Sequence, residues 1–182
     1  MRKVIVGLAV VAGLGLVAQA AVAQRASPAV QGYGPGYMDV GATVGFGGVG
    51  SASMAFGGRF EMALKPMPQL GGGMIGIQVG ATYYSYGDAY WNYKYIPIGV
   101  TANYHFKLAD SKLDPFVGAG LGYEIITCGG TGLSGFSCGA TSAIYYIGRA
   151  GVRYFVTPKL ALYADAGAGG ALANVGVMLR LK

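Results

Sequence analysis

Seven charged residues of this chain stand among small and apolar neighbours, and within each stretch they fall on one side of an alternation. They are Arg59, Glu61, Glu124, Arg149, Arg153, Asp165 and Arg180. Four positive side chains face three negative ones, a composition suited to a buried network in which each charge must find a partner. Two kinds of chemistry are open to it. One is structural, a polar core held by ion pairs. The other is a gate, in which exchange of partners opens a narrow water path. His105 is the only histidine and shares the face of these charges. A histidine working as a base needs a Ser or Cys nucleophile beside it, and its own stretch offers none.

Cys128 and Cys138 are the only cysteines. In an exported chain, two cysteines in one Gly-rich segment read as a disulfide. Metal binding is the alternative, but zinc asks for about four ligands and no histidine is near. The run G-A-G-L-G-Y at 118–123 has the look of a nucleotide-binding glycine loop. That motif needs a strand–turn–helix context, whereas these glycines alternate inside a strand. No cofactor is expected.

The elements that carry these residues are strands. Apolar side chains occupy every second position through eight segments between residues 37 and 182, at about 38–46, 54–64, 74–85, 92–106, 114–127, 141–156, 159–167 and 171–181. The other positions are glycine, polar or charged. Period two puts the two sets on opposite faces. The apolar face is too continuous for a soluble sheet, and a charge on a lipid-facing position costs roughly 2–4 kcal/mol at the midplane. The pattern therefore predicts an all-β fold, an eight-stranded antiparallel up-and-down transmembrane β-barrel with apolar residues outward and the charges inward. An even strand number lets the sheet close without an edge in lipid. The inward glycines, Gly76, Gly118 and Gly151 among them, are expected to leave some volume unfilled.

Composition agrees. Charged residues make up 11% and there are 34 glycines, against a usual charged share of ~25%. Arg2 and Lys3, an apolar stretch from Val4 to Val17 and Ala21-Val22-Ala23 read as a signal peptide over 1–23, cleaved after Ala23. Residues 24–36 read as a flexible leader and 37–182 as the barrel. Without Arg2 and Lys3 the 13 basic residues fall to 11, against 7 acidic ones, a net charge of +4. The positives are dispersed, so a nucleic-acid partner is not expected.

Turn composition sets the orientation. Lys65–Gly73, Lys107–Asp114 and Thr157–Lys159 form one set of connections, with both termini, and this end is expected to be periplasmic. The cysteine loop then lies outside the cell. Aromatic residues are expected to form two belts. Phe46, Phe56, Tyr83, Trp91, Tyr93, Tyr95, Tyr123 and Tyr146 belong to the loop end. Tyr104, Phe106, Phe116, Tyr154 and Phe155 belong to the turn end. The short turn near Thr157–Pro158 puts Arg149 and Asp165 almost opposite, as an inward ion pair, with Glu124 the next candidate partner.

With the signal peptide, Y-I-P-I-G-V-T-A-N-Y-H-F at 95–106 and D-P-F-V-G-A-G-L-G-Y at 114–123, the chain resembles the small eight-stranded outer-membrane β-barrel proteins of Gram-negative bacteria, of the OmpA-barrel, OmpX and OmpW type. The resemblance implies an outer-membrane location, outer-membrane lipids as surroundings and the barrel-assembly machinery as a partner during insertion. The chain departs from it at Leu179-Arg180-Leu181-Lys182, where such proteins usually end on an aromatic. Some relatives of this type modify lipids, but near the outer leaflet, and His105 is at the other end. The expected function is a non-enzymatic barrel with a structural or interaction role, or a narrow pore for small solutes. Passage of small hydrophobic compounds through a lateral opening and surface adhesion are the alternatives. No small-molecule ligand can be named from the residues.

Overall fold

The computed structural model describes residues 32–49, 52–87, 91–130 and 142–182. The expected signal peptide with its cleavage point at Ala23, most of the leader, and Cys138 lie outside these residues. The expected disulfide therefore lies outside them too, although Cys128 is part of a strand.

Eight strands follow in order: β1 Met38–Val49, β2 Ala52–Met67, β3 Gly73–Gly87, β4 Trp91–His105, β5 Leu113–Gly130, β6 Ala143–Phe155, β7 Leu160–Ala168 and β8 Ala173–Arg180. Each pairs antiparallel with the next, and β1 pairs with β8 to close the barrel. Closure leaves the sheet without an unpaired edge strand, which a lipid-facing sheet requires. Several strands run past their expected ends. The β4–β5 ribbon stays paired as far as Trp91↔Gly130.

Register makes the alternation a property of the whole sheet. Val40, Phe60, Val79, Val100, Leu121 and Tyr146 are successive neighbours across six strands. All lie on the outer surface, with Val79 and Val100 both over 40% exposed. One residue away, Asp39, Glu61, Gln78, Thr101, Gly120 and Ile147 form the matching row inside. A bulge between Ala63 and Lys65 shifts the pairing near the end of β2. The strand then leads into a 3-10 turn, Pro68–Leu70, closed by Gly71 at φ 80°, a backbone conformation that glycine adopts at little cost.

The aromatic belts need correction. Phe46, Phe56, Tyr83, Tyr123 and Tyr146 are exposed near the loop end, and Phe106 near the turn end. Phe116 and Phe155 are buried instead, and Tyr95 packs on an inner cluster of Ala55, Tyr84 and Ala171. In β4 and β5 the inner positions are odd and even respectively, and Tyr95 and Phe116 follow that parity. Crowding at strand ends had suggested a belt; parity decides the face.

Candidate functional site

The lumen of an eight-stranded barrel is just wide enough for side chains to fill. Here the inward residues gather into two networks.

The first lies toward the turn end and is centred on Arg153 of β6, whose side chain is wholly buried. Its Nη2 donates to Glu61 Oε2. Its Nη1 lies 3.5 Å from Asp39 Oδ2 and 3.7 Å from Asp114 Oδ2. His105 bridges two of the same carboxylates, with Nε2 2.6 Å from Glu61 Oε1 and Nδ1 2.9 Å from Asp114 Oδ1. Five strands thus contribute one side chain each. Three carboxylates face one guanidinium and one imidazole, so the cluster is held by mutual attraction across the lumen rather than by any single pair.

Aromatic rings enclose it. The guanidinium carbon of Arg153 lies 5.2 Å from the Tyr33 ring centroid and 5.6 Å from that of Phe116. At such distances the ring faces attract the cation. Tyr37 donates to Asp39 Oδ2 at 2.8 Å, and Tyr33 donates to Glu61 Oε1 at 3.3 Å. Tyr33 and Tyr37 precede β1, so the chain folds back over its own turn end. Burial and the neighbouring Glu61 carboxylate push the Tyr33 hydroxyl far above the usual range for a phenol, which keeps it a hydrogen-bond donor.

The second network lies farther toward the loops and is centred on Asp165 of β7. Its carboxylate accepts from Arg59 Nη1 at 2.6 Å, Arg149 Nη1 at 2.6 Å and Asn174 Nδ2 at 2.7 Å, and from the Tyr163 hydroxyl. Arg149 Nη2 also donates to the backbone oxygens of Gly169 and Ala171, at 3.0 and 2.6 Å. Arg59 lies 4.6 Å from the Tyr163 ring centroid. Beside this network a cavity of about 50 Å³ is lined by Gln78, Thr101, Tyr145 and Arg149 among others. That volume is enough for a few waters, each of which needs about 10–15 Å³.

Arg149 and Asp165 do meet, but not as opposite residues. Arg149 pairs with Gly167 and Asp165 with Gly151, so the contact is diagonal, within reach of a long side chain. Glu124 is not a partner of Arg149. It pairs with Ala143, six residues along β6, and forms no ion pair among the described residues. Arg180 faces Asp39 in register and lies 5.0 Å from the Tyr37 ring centroid. The expected free volume over the inner glycines is taken up by neighbours. A Cβ on Gly76 would strike the Tyr33 hydroxyl and Glu61, one on Gly118 would strike Asn103, and one on Gly151 would strike Phe116.

Four residues of the first network, Asp39, Asp114, Tyr33 and Tyr37, have no signal in the sequence analysis. Asp39 and Asp114 are the second residues of β1 and β5; Asp39 lies in the expected first strand ahead of its alternating run, and Asp114 at the border between a turn and the expected fifth strand. Extending the alternation of Gly41 and Gly118 by one or two steps would have placed both inside. Tyr33 sits in a Gly/Pro-rich segment with no period to read.

The histidine–carboxylate contact resembles half of a hydrolytic relay, and Ser111 shares a cleft of about 360 Å³ with His105 and Asp114. The other ring nitrogen, which would take a proton from a nucleophile, faces Glu61. The imidazole is also stacked against Tyr33 and Phe116, at 3.5 and 5.4 Å between centroids. The geometry suits anchoring more than proton transfer to a substrate.

Solved structures share the fold. Neisserial surface protein A matches with a TM-score of 0.52 and 22% identity, over 80% of this chain and 96% of that one. The N-terminal β-barrel domain of Pseudomonas aeruginosa OprF matches with a TM-score of 0.54 and 21% identity, over 82% and 100%. Ail, the attachment invasion locus protein of Yersinia pestis, matches with a TM-score of 0.50 and 13% identity, over 79% and 93%. At these identities the likeness is one of fold. No protein-family model matches the chain, and no curated protein matches it in sequence.

Proposed function

We propose that this chain is a non-enzymatic outer-membrane barrel with a structural role, its lumen closed at the turn end. The observation that carries the reading is the Arg153 cluster. A buried guanidinium held by Glu61, Asp39 and Asp114, with Tyr33 and Tyr37 seated against it, bridges strands across the lumen there. An outer face of apolar residues and the fold shared with outer-membrane barrels support the location. The closed ring of paired strands, interrupted only locally, argues against a lateral opening for hydrophobic compounds. Fractionation of Gram-negative cells producing the full chain tests the location. Recovery in the outer membrane, with a gel mobility that changes on heating, is expected; recovery in the soluble fraction would overturn the reading.

A gated narrow pore is the second reading. It is favoured by one feature, the two longer approaches of Arg153 to Asp39 and Asp114, which offer the guanidinium alternative partners.

A further inference from the structure

The turn end carries a ring of cations outside the lumen that neither network uses. Lys65, Lys107, Lys159 and Lys182 are exposed and Lys112 is partly so. They stand near the ends of β2, β4 and β8 and just before the starts of β5 and β7. Each has a hydrophobic neighbour in sequence: Leu64, Phe106 and Leu108, Leu160, Leu181 and Leu113. All of these but Leu113 are exposed large hydrophobics.

An apolar side chain followed or preceded by lysine, repeated around one rim, places the hydrophobe in the acyl region and the ammonium at headgroup level. The acidic residue of these turns is Asp110, whose Oδ1 accepts from the Lys112 backbone N–H at 2.9 Å and so serves its own turn. At the opposite rim the described charges are Lys94, which is exposed, and Glu124, and they cancel. Among the described residues the positive charge is thus concentrated at one end.

We infer that the turn-end rim binds the phosphodiester headgroups of anionic phospholipids in the leaflet at that end. The inference rests on the outer-membrane reading above. An ammonium at a membrane surface attracts anionic lipid with an energy that several lysines share. The lysines are spread over three turns and the end of β8, which suits separate lipids at separate lysines rather than one deep pocket. The attraction is exposed, so salt screens it.

The test uses the full chain folded in mild detergent and offered equal amounts of phosphatidylglycerol and phosphatidylcholine with identical acyl chains. Native mass spectrometry reads the adducts. Phosphatidylglycerol should exceed phosphatidylcholine by about fivefold, the ratio that ~1 kcal/mol from one engaged lysine gives. The preference should collapse in high salt. Replacing the five lysines, Lys65→Gln through Lys182→Gln, should abolish it, while Lys94→Gln at the other rim should leave it unchanged. Equal adducts for the unaltered chain, or equal losses from the two variants, would overturn the inference. Insertion into pure phosphatidylcholine vesicles is scored separately. A chain that inserts there but shows no lipid preference refutes the rim alone; a chain that does not insert refutes the barrel reading and the rim with it.

Discussion

Tyr33 lies flat on His105, with ring centroids 3.5 Å apart and planes within 10° of parallel. A residue that precedes the first strand thereby covers the one histidine of the barrel, and its hydroxyl reaches Glu61 on a third element. The N-terminal segment is part of the lumen's packing, not merely a lead into it.

Truncating that ring should be costly. Tyr33→Ala removes the stack, the contact with Arg153 and the hydrogen bond, and is expected to destabilise the barrel by about 2–4 kcal/mol. Tyr33→Phe keeps the ring and should cost about 1 kcal/mol. Urea-driven unfolding from lipid vesicles measures both. Equal losses for the two variants would mean the ring itself contributes nothing.

Gly76 supplies the space for the Tyr33 hydroxyl, and a methyl there meets both that oxygen and Glu61. Gly76→Ala should therefore cost about 1–3 kcal/mol from overpacking. In combination with Tyr33→Phe the loss should be smaller than the sum, since the colliding oxygen is gone. Additive losses in a double-mutant cycle would separate the two residues.

Arg153 is the single guanidinium that three carboxylates share. Arg153→Met leaves Asp39, Glu61 and Asp114 without it and should cost about 3–5 kcal/mol. Adding Glu61→Gln should recover part of that loss, because one of the uncompensated charges disappears. A double variant less stable than Arg153→Met would contradict the network.

The two faces of one strand should respond oppositely. Val79→Arg puts a charge on the outer surface and is expected to lose about 2–4 kcal/mol of folding into lipid. Gly80→Ser, the next residue, faces the lumen with its nearest side-chain neighbour, Arg59 Cγ, at 3.5 Å, and should fold nearly as well as the unaltered chain. Gel mobility of heated and unheated samples after vesicle insertion compares them. Similar insertion yields would place the register one residue out.

Much of this architecture was legible because period two is written into every strand. The charges at Arg59, Glu61, Arg149, Arg153 and Asp165 followed the face that the apolar residues left, and the structure brings all five into the two networks. Which charge meets which was not legible. The Arg149–Asp165 contact depends on a stagger of two residues that turn length alone does not fix. Phe116 and Phe155 were taken for belt residues because they lie near strand ends, yet their parity turns them inward. Tyr33 is the largest omission. Its partners are 28 and 72 residues away in sequence, and the slot it occupies exists only once β2, β4 and β6 have come together.

A lumen closed at its turn end should pass no ions. Planar-bilayer recording of the refolded full chain tests it most directly. No stable conductance steps are expected from the unaltered protein, and steps should appear when Tyr33→Ala and Arg153→Met are combined. Regular open-channel steps from the unaltered protein would contradict it.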